Sequence, residues 1–228
     1  MPALLIAIVG AESTGKSALA QDLALRLAVA TGLRCAAVPE ILRDWCDAAG
    51  RTPQPHEQAA IAAAQTTRID AAAQTHELLL CDTTALMTAI YSELLFQDRS
   101  LLPAGVAFHR RCDLTLLTAV DIPWVADGLQ RDGPQVRGPV DAAIRRALLG
   151  AELGWSVVSG QGQARTDAAL NAITPLLSRR KLPRAGLLSR LLERQAALPA
   201  WRWACEHSRL RMNSQIRNPS VTTKCAVP

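Results

Sequence analysis

The chain has 228 residues, of which 49% are hydrophobic and 20% charged. Its length allows a full core without disulfides, and its composition excludes a mainly disordered or fibrous protein. The net charge of +5 is uneven: residues 1–178 hold 14 Lys and Arg against 18 Asp and Glu (−4), whereas residues 179–228 hold 11 against 2 (+9). We therefore predict a globular domain over 1–178 and a basic, partly helical and partly flexible C-terminal extension over 179–228.

Apolar runs and helical spacing alternate along residues 4–178. The runs predict five short strands, at 4–9, 35–38, 78–81, 114–117 and 155–158. Apolar side chains at four-residue spacing predict helices at 17–31 and 85–96. Helical propensity predicts helices at 41–49 and in the alanine-rich stretch 57–74. We expect further helices at about 140–153 and from near Arg165. Each crossover between parallel strands needs a covering element, so we expect an α/β fold of three layers with a mostly parallel five-stranded sheet.

The six cysteines show no C-x-x-C spacing, so we expect neither a zinc nor a redox centre. They are typical of small buried hydrophobes in a reducing compartment. No stretch approaches the roughly 20 apolar residues of a membrane span, and the first apolar run lacks the basic start of a signal peptide. We expect a cytoplasmic protein without a membrane partner.

A phosphate-binding motif lies between the first strand and the first helix. Residues 10–17, GAESTGKS, fit G-x-x-x-x-G-K-[ST], whose backbone N–H groups and helix dipole bind phosphate. Lys16 is the single lysine among residues 1–178, beside 13 arginines, which indicates that phosphate chemistry selects it. The fold class is thus a P-loop NTPase or kinase, with ATP bound by Gly10, Glu12, Ser13, Thr14, Gly15, Lys16, Ser17 and Ala18.

Acidic side chains follow three of the other strands. Asp82 is our first candidate for the carboxylate that holds Mg²⁺ together with Ser17, and a helix N-cap is its alternative role; Asp121 is a second candidate. Glu40 and Arg43 follow the second strand, at the sheet edge where ligands bind in α/β folds. They are candidates for orienting the acceptor hydroxyl and for clamping phosphate, or form a surface ion pair. Glu40 and Asp82 are both candidates for the general base.

The segment 121–134 is rich in charged residues, Gly and Pro, yet contains a tryptophan. Long loops in compact domains commonly serve as lids or binding loops. Trp124 would either stack on a ligand ring or pin the loop to the domain. Arg131 and Arg137 are candidates for contacting the transferred phosphoryl group, which favours a kinase-like lid.

Taken together, these segments resemble the ribosylnicotinamide kinase domain of bacterial NadR-type proteins, over about residues 3–178. The resemblance is carried by the phosphate loop and by the segments 39–45 (PEILRDW), 81–83 (CDT) and 121–129 (DIPWVADGL). It implies transfer of the γ-phosphate of ATP to the ribose 5′-hydroxyl of nicotinamide riboside, a reaction of NAD biosynthesis. It also implies an acceptor site near Glu40, Arg43 and Asp82, and a lid built on Trp124, Asp127 and Arg131.

The chain departs from the family in two respects. Some relatives have Arg after the Gly-Leu pair, where this chain has Gln130 and places Arg131 one position later. NadR also carries helix-turn-helix and adenylyltransferase domains, and we expect neither of those functions here. The alternative hypothesis is a nucleotide-binding switch whose basic tail contacts a partner or nucleic acid. A solvated tail accounts for the same composition, so we expect a small-molecule nucleoside rather than nucleic acid as the partner.

Overall fold

The computed structural model describes residues 2–126 and 133–179. The predictions made for Asp127, Arg131 and the extension from residue 180 onward lie outside the described residues. Within these ranges the strands are β1 Leu4–Val9, β2 Cys35–Val38, β3 Leu78–Asp82, β4 Leu114–Thr118 and β5 Ser156–Val158. The helices are α1 Lys16–Thr31, α2 Ile41–Ala49, α3 Gln58–Ala73, α4 Ala85–Phe96, α5 Leu102–His109, α6 Arg137–Gly150 and α7 Gln163–Ser178.

The five strands form one parallel sheet in the order β2-β3-β1-β4-β5. The central strand β1 pairs Ile8 with Asp82 of β3 and Val9 with Leu117 of β4. All six of its residues are buried, as expected for a strand covered on both faces. The predicted α/β class and five-stranded parallel sheet are confirmed.

Alternate residues of β1 enter the cores on the two faces of the sheet. Ile6 and Ile8 pack with residues of α1 and α7 on one face. Val9 packs with Leu86 of α4 and Ile144 of α6 on the other. Burial of these side chains contributes about 1.5–3 kcal/mol each, which fixes the strand ends, and therefore the loops that follow them, at one edge.

The structure differs from the sequence prediction in two elements. Helix α5 was not predicted, because its eight residues give too few turns for a clear apolar period. It packs closely on α4, since a Cβ at Gly105 would lie 3.0 Å from the Cα of Leu86. Helix α6 spans Arg137–Gly150 rather than 140–153. It begins three residues earlier because Pro139 lies in its first turn, where proline is tolerated.

The cysteines that the structure describes are all free. Burial raises the pKa of Cys35 to about 11 and that of Cys112 to about 12, so these thiols stay protonated at neutral pH. None of the helices in the described part of the chain is long and apolar enough to cross a bilayer.

Candidate functional site: the phosphate loop and the adjoining cavity

The phosphate loop connects the end of β1 to the start of α1. A Cβ at Gly10 would lie 2.0 Å from Thr118 Oγ1, so the close approach of β4 requires glycine there. Gly15 adopts a left-handed conformation (φ 77°) and caps α1, where an L side chain would be strained. Thr14 Oγ1 donates to the Ala11 carbonyl at 2.7 Å and is hydrogen-bonded to Thr118 Oγ1 at 2.7 Å. These contacts fix a tight loop at a helix N-terminus, the geometry that binds phosphate.

Lys16 opens α1 directly after this turn. Its side chain folds back over the loop, and Nζ donates to the Ala11 carbonyl at 2.9 Å. The ammonium group therefore lies against the loop backbone, and its contact with the phosphates of a nucleotide remains a prediction.

Asp82 ends β3, next to β1. It is 3% exposed, and Oδ1 has no hydrogen-bond partner among the described residues. The alternative role as a helix N-cap is not observed, because Thr84 occupies the N-cap of α4. A buried carboxylate oxygen without a partner is destabilising unless a cation binds it. Hydroxyl and carboxylate oxygens suit Mg²⁺, so Ser17 and Asp82 fit the metal that the fold implies.

Thr83 follows Asp82 with φ 67°, a left-handed conformation rare for a β-branched residue. Its N–H donates to the Ile8 carbonyl at 3.1 Å, which ties the end of β3 to β1. Backbone strain of this kind is typical of functional sites. Thr83 also lines the cavity described next.

A cavity of about 530 Å³ adjoins the phosphate loop, a size typical of small-molecule sites. The predicted residues Glu12 to Ala18, Glu40 and Arg43 all line it. Much of its remaining wall comes from residues that the sequence analysis did not single out, among them Gln58 at the start of α3 and five residues of α4: Met87, Thr88, Tyr91, Leu95 and Phe96. A signal for them was present, since Met87 and Tyr91, the only tyrosine, lie one helical turn apart just after Asp82.

The two ends of the predicted lid are fixed to the phosphate loop. Trp124 Nε1 donates to Glu12 Oε1 at 2.9 Å, and the Gly133 N–H donates to the same oxygen at 3.0 Å. The Val125 N–H donates to Ser13 Oγ at 2.8 Å. Of the two roles considered for Trp124, the structure therefore shows pinning. Contact of Trp124 with the acceptor remains a prediction, and its side chain does not line the cavity.

Asp121, the second candidate for the metal, is engaged elsewhere. Its carboxylate accepts a hydrogen bond from the Gly160 N–H at 2.6 Å and pairs with Arg165. These partners satisfy its charge, which leaves Asp82 as the better carboxylate for Mg²⁺. Glu40 precedes the first residue of α2 without capping it through its side chain.

Comparison with known proteins gives the following matches. NadR in complex with NAD and AMP-PNP, and NadR in complex with NR, each match with TM-score 0.59, 18% identity and 76% of this chain covered. The chain spans about half of those proteins, 49% and 50% respectively. Shikimate kinase from Acinetobacter baumannii in complex with shikimate matches with TM-score 0.47 and 15% identity, covering 78% of this chain and 96% of that one. No curated protein matches the chain.

At these identities the NadR structures establish the fold alone, and the predicted resemblance is confirmed at that level. The AAA domain family matches residues 5–165, a range that begins in β1 and ends at Arg165, and so includes the phosphate loop, the cavity and both anchors of the predicted lid. The chain therefore belongs to the AAA domain family, with a P-loop kinase-like fold.

Proposed function

We propose that this protein is an ATP-dependent small-molecule kinase that phosphorylates the 5′-hydroxyl of a nucleoside, with nicotinamide riboside as the preferred acceptor. The observation that carries the proposal is the cavity, which joins the phosphate loop to Glu40 and Arg43. A volume of about 530 Å³ suits an acceptor of nucleoside size. The similar NadR structures hold AMP-PNP, an ATP analogue, in one case and NR in the other.

In this proposal the phosphate loop and Lys16 position the nucleotide. The loop amides and the N-terminus of α1 stabilise the phosphates, and Lys16 neutralises charge that develops on the transferred group. Ser17 and Asp82 would hold Mg²⁺, which neutralises charge on the β- and γ-phosphates when bound. Catalysis is then mainly positioning and electrostatic stabilisation.

Glu40 and Arg43 act on the acceptor in this proposal. Glu40 lines the cavity, whereas Asp82 is buried and its Oδ1 finds no partner in the described part of the chain. We therefore assign Glu40 to orient or deprotonate the hydroxyl and Asp82 to the metal. Arg43 would clamp a phosphate or the ribose, and Arg131 remains a predicted contact of the transferred phosphoryl group.

Coupled ADP release, measured with and without a panel of nucleosides, tests the proposal. We expect nicotinamide riboside to stimulate ADP release and to yield nicotinamide mononucleotide, with uridine, cytidine and adenosine as comparison acceptors. Slow hydrolysis that no acceptor stimulates would instead favour the nucleotide-dependent switch.

Replacing Lys16 tests the phosphate loop. Lys16→Ala should lower kcat by roughly 100- to 1,000-fold, because one preorganised donor to developing charge is lost. The matched control is Arg34→Ala, which removes an exposed cation just before β2, at the opposite edge of the sheet from the phosphate loop. A Lys16→Ala enzyme with most of its activity would contradict the assignment.

A further inference from the structure

Two buried arginines lie against the phosphate loop and are not accounted for by the roles above. Arg165, at the start of α7, is 5% exposed. Its Nη1 donates to the Thr14 carbonyl at 3.2 Å, its Nε donates to the Gly160 carbonyl at 2.8 Å, and it pairs with Asp121. It thereby connects the phosphate loop with the segments that follow β4 and β5.

Arg137, at the start of α6, holds the adjacent peptide. It is 6% exposed; Nη1 donates to the Ile122 carbonyl at 2.9 Å, and Nη2 contacts the Ser13 carbonyl at 3.4 Å. Within the described residues its Nε has no partner, and no carboxylate pairs with the guanidinium. This differs from the predicted contact of Arg137 with the transferred group, because the side chain does not line the cavity.

The consequence for the loop follows from the rigidity of the peptide bond. In a trans peptide the carbonyl of one residue and the N–H of the next lie in one plane and point in opposite directions. A guanidinium that holds the Ser13 carbonyl therefore sets the direction of the Thr14 N–H, and one that holds the Thr14 carbonyl sets that of the Gly15 N–H. Because the guanidinium groups lie on the carbonyl side, these two N–H groups point away from them.

The two arginines differ in whether a carboxylate neutralises their charge. Asp121 neutralises Arg165, whereas the described residues give Arg137 carbonyl oxygens as partners and no carboxylate. A buried charge without a counter-ion is destabilising. An anion bound in the phosphate loop would offset this cost. The free-energy cost of burying the Arg137 charge should therefore be lower when phosphate occupies the loop.

We propose that Arg137 and Arg165 are positioning residues that hold the phosphate loop from outside, fixing the Ser13 and Thr14 carbonyls so that the next two N–H groups face the bound polyphosphate. The inference rests on the proposed function only in requiring that the loop binds a nucleotide. It does not depend on the identity of the acceptor.

The test compares Arg137→Met and Arg137→Lys with Arg145→Met, which removes an arginine from the same helix whose partner is Asp141. Calorimetry on the full chain would measure the Kd for MgATP and for magnesium tripolyphosphate, which lacks the nucleoside. We expect Arg137→Met to raise both Kd values about 10-fold and Arg137→Lys to recover part of that loss. The control should bind as the wild type does.

Two outcomes would overturn the inference. One is an unchanged Kd in Arg137→Met, with only a lower Tm or a lower binding stoichiometry, since that marks a merely structural role. The other is weaker binding of MgATP with tripolyphosphate binding unaffected. Failure of the proposed function is separately visible, as a wild type that binds MgATP yet phosphorylates no nucleoside.

Discussion

Single side chains decide the shape and charge of the phosphate loop. Gly10 allows β4 to approach, so that Thr118 Oγ1 of that strand lies 2.7 Å from Thr14 Oγ1 and 3.2 Å from the Val9 carbonyl oxygen. Asp82 is placed on the adjoining strand β3, in register with Ile8. Loop and carboxylate are thus held by the same sheet, and small changes at either residue should act on nucleotide binding.

Gly10→Ala should prevent nucleotide binding and lower the free energy of unfolding by about 1–3 kcal/mol, because the new Cβ would overlap Thr118 Oγ1. Gly154→Ala is the matched control, since a Cβ there meets nothing within 4 Å. Urea denaturation and MgATP calorimetry would measure both effects. A Gly10→Ala protein that binds MgATP as the wild type does would show that the loop tolerates a side chain.

Asp82→Asn should lower phosphoryl transfer at least about 100-fold and weaken the dependence of ATP affinity on Mg²⁺, because a carboxylate ligand is lost. The fold should tolerate it, since the side chains are equal in shape and Asp82 Oδ1 has no partner among the described residues. ATP titrations at several Mg²⁺ concentrations would check this. Exposed Asp47→Asn serves as the control, and equal Mg²⁺ dependence in the two variants would exclude Asp82 as a ligand.

Helix α5 links the start of α4 to the sheet through one buried side chain. His109 is 1% exposed and hydrogen-bonds Thr84 Oγ1 through Nδ1 and Thr115 Oγ1 through Nε2, each at 2.9 Å. Burial lowers the pKa of His109 to about 4. The neutral imidazole thus supports the N-cap of α4, the helix that forms one wall of the cavity.

This arrangement predicts a pH dependence of stability. Above pH 6.5 His109 is neutral in both states; as the pH falls from 6.5 towards 4, the unfolded chain binds a proton that the folded chain does not. The wild type should therefore lose up to about 3 kcal/mol more over this window than His109→Gln does. Urea denaturation at pH 7 and pH 4.5 would measure this, with exposed His56→Gln as control; parallel curves for wild type and His109→Gln would contradict it.

Across the whole molecule, the candidate site is assembled from segments between residues 10 and 165. The last described helix, α7, packs on α1 through buried Ile173 and Leu177 and ends at Ser178. The proposed boundary between the kinase domain and the basic extension lies there.

A chain ending at Ser178 should keep its MgATP affinity within about twofold and its response to nicotinamide riboside, since no described contact of the site involves a later residue. Calorimetry and coupled ADP release against the full-length chain would measure both. A shortened chain that shows native circular dichroism but has lost nucleotide binding would assign the extension a part in the site.

Most elements were predictable because their signals are local. The phosphate loop follows from one motif, the bounds of α2 follow from helical propensity, and those of α4 follow from apolar spacing. Helix α5 was missed because it is short and is stabilised by packing against α4 rather than by its own pattern. Trp124 could be assigned to a loop, but its hydrogen bond to Glu12, 112 residues away, has no local signal.

Composition and periodicity sufficed to predict the parallel α/β sheet, the nucleotide loop and the acidic residue after β3. The signal for each of these features lies in residues that are close together in the sequence. Other features depend on which strand ends and helix starts meet in space: the cavity wall on α4, the hydrogen bonds of Arg137 and Arg165 to the loop carbonyls, and an Asp82 Oδ1 that has no partner within residues 2–126 and 133–179. That meeting is set by the packing of the strands in the order β2-β3-β1-β4-β5, where residues more than a hundred positions apart come into hydrogen-bond distance.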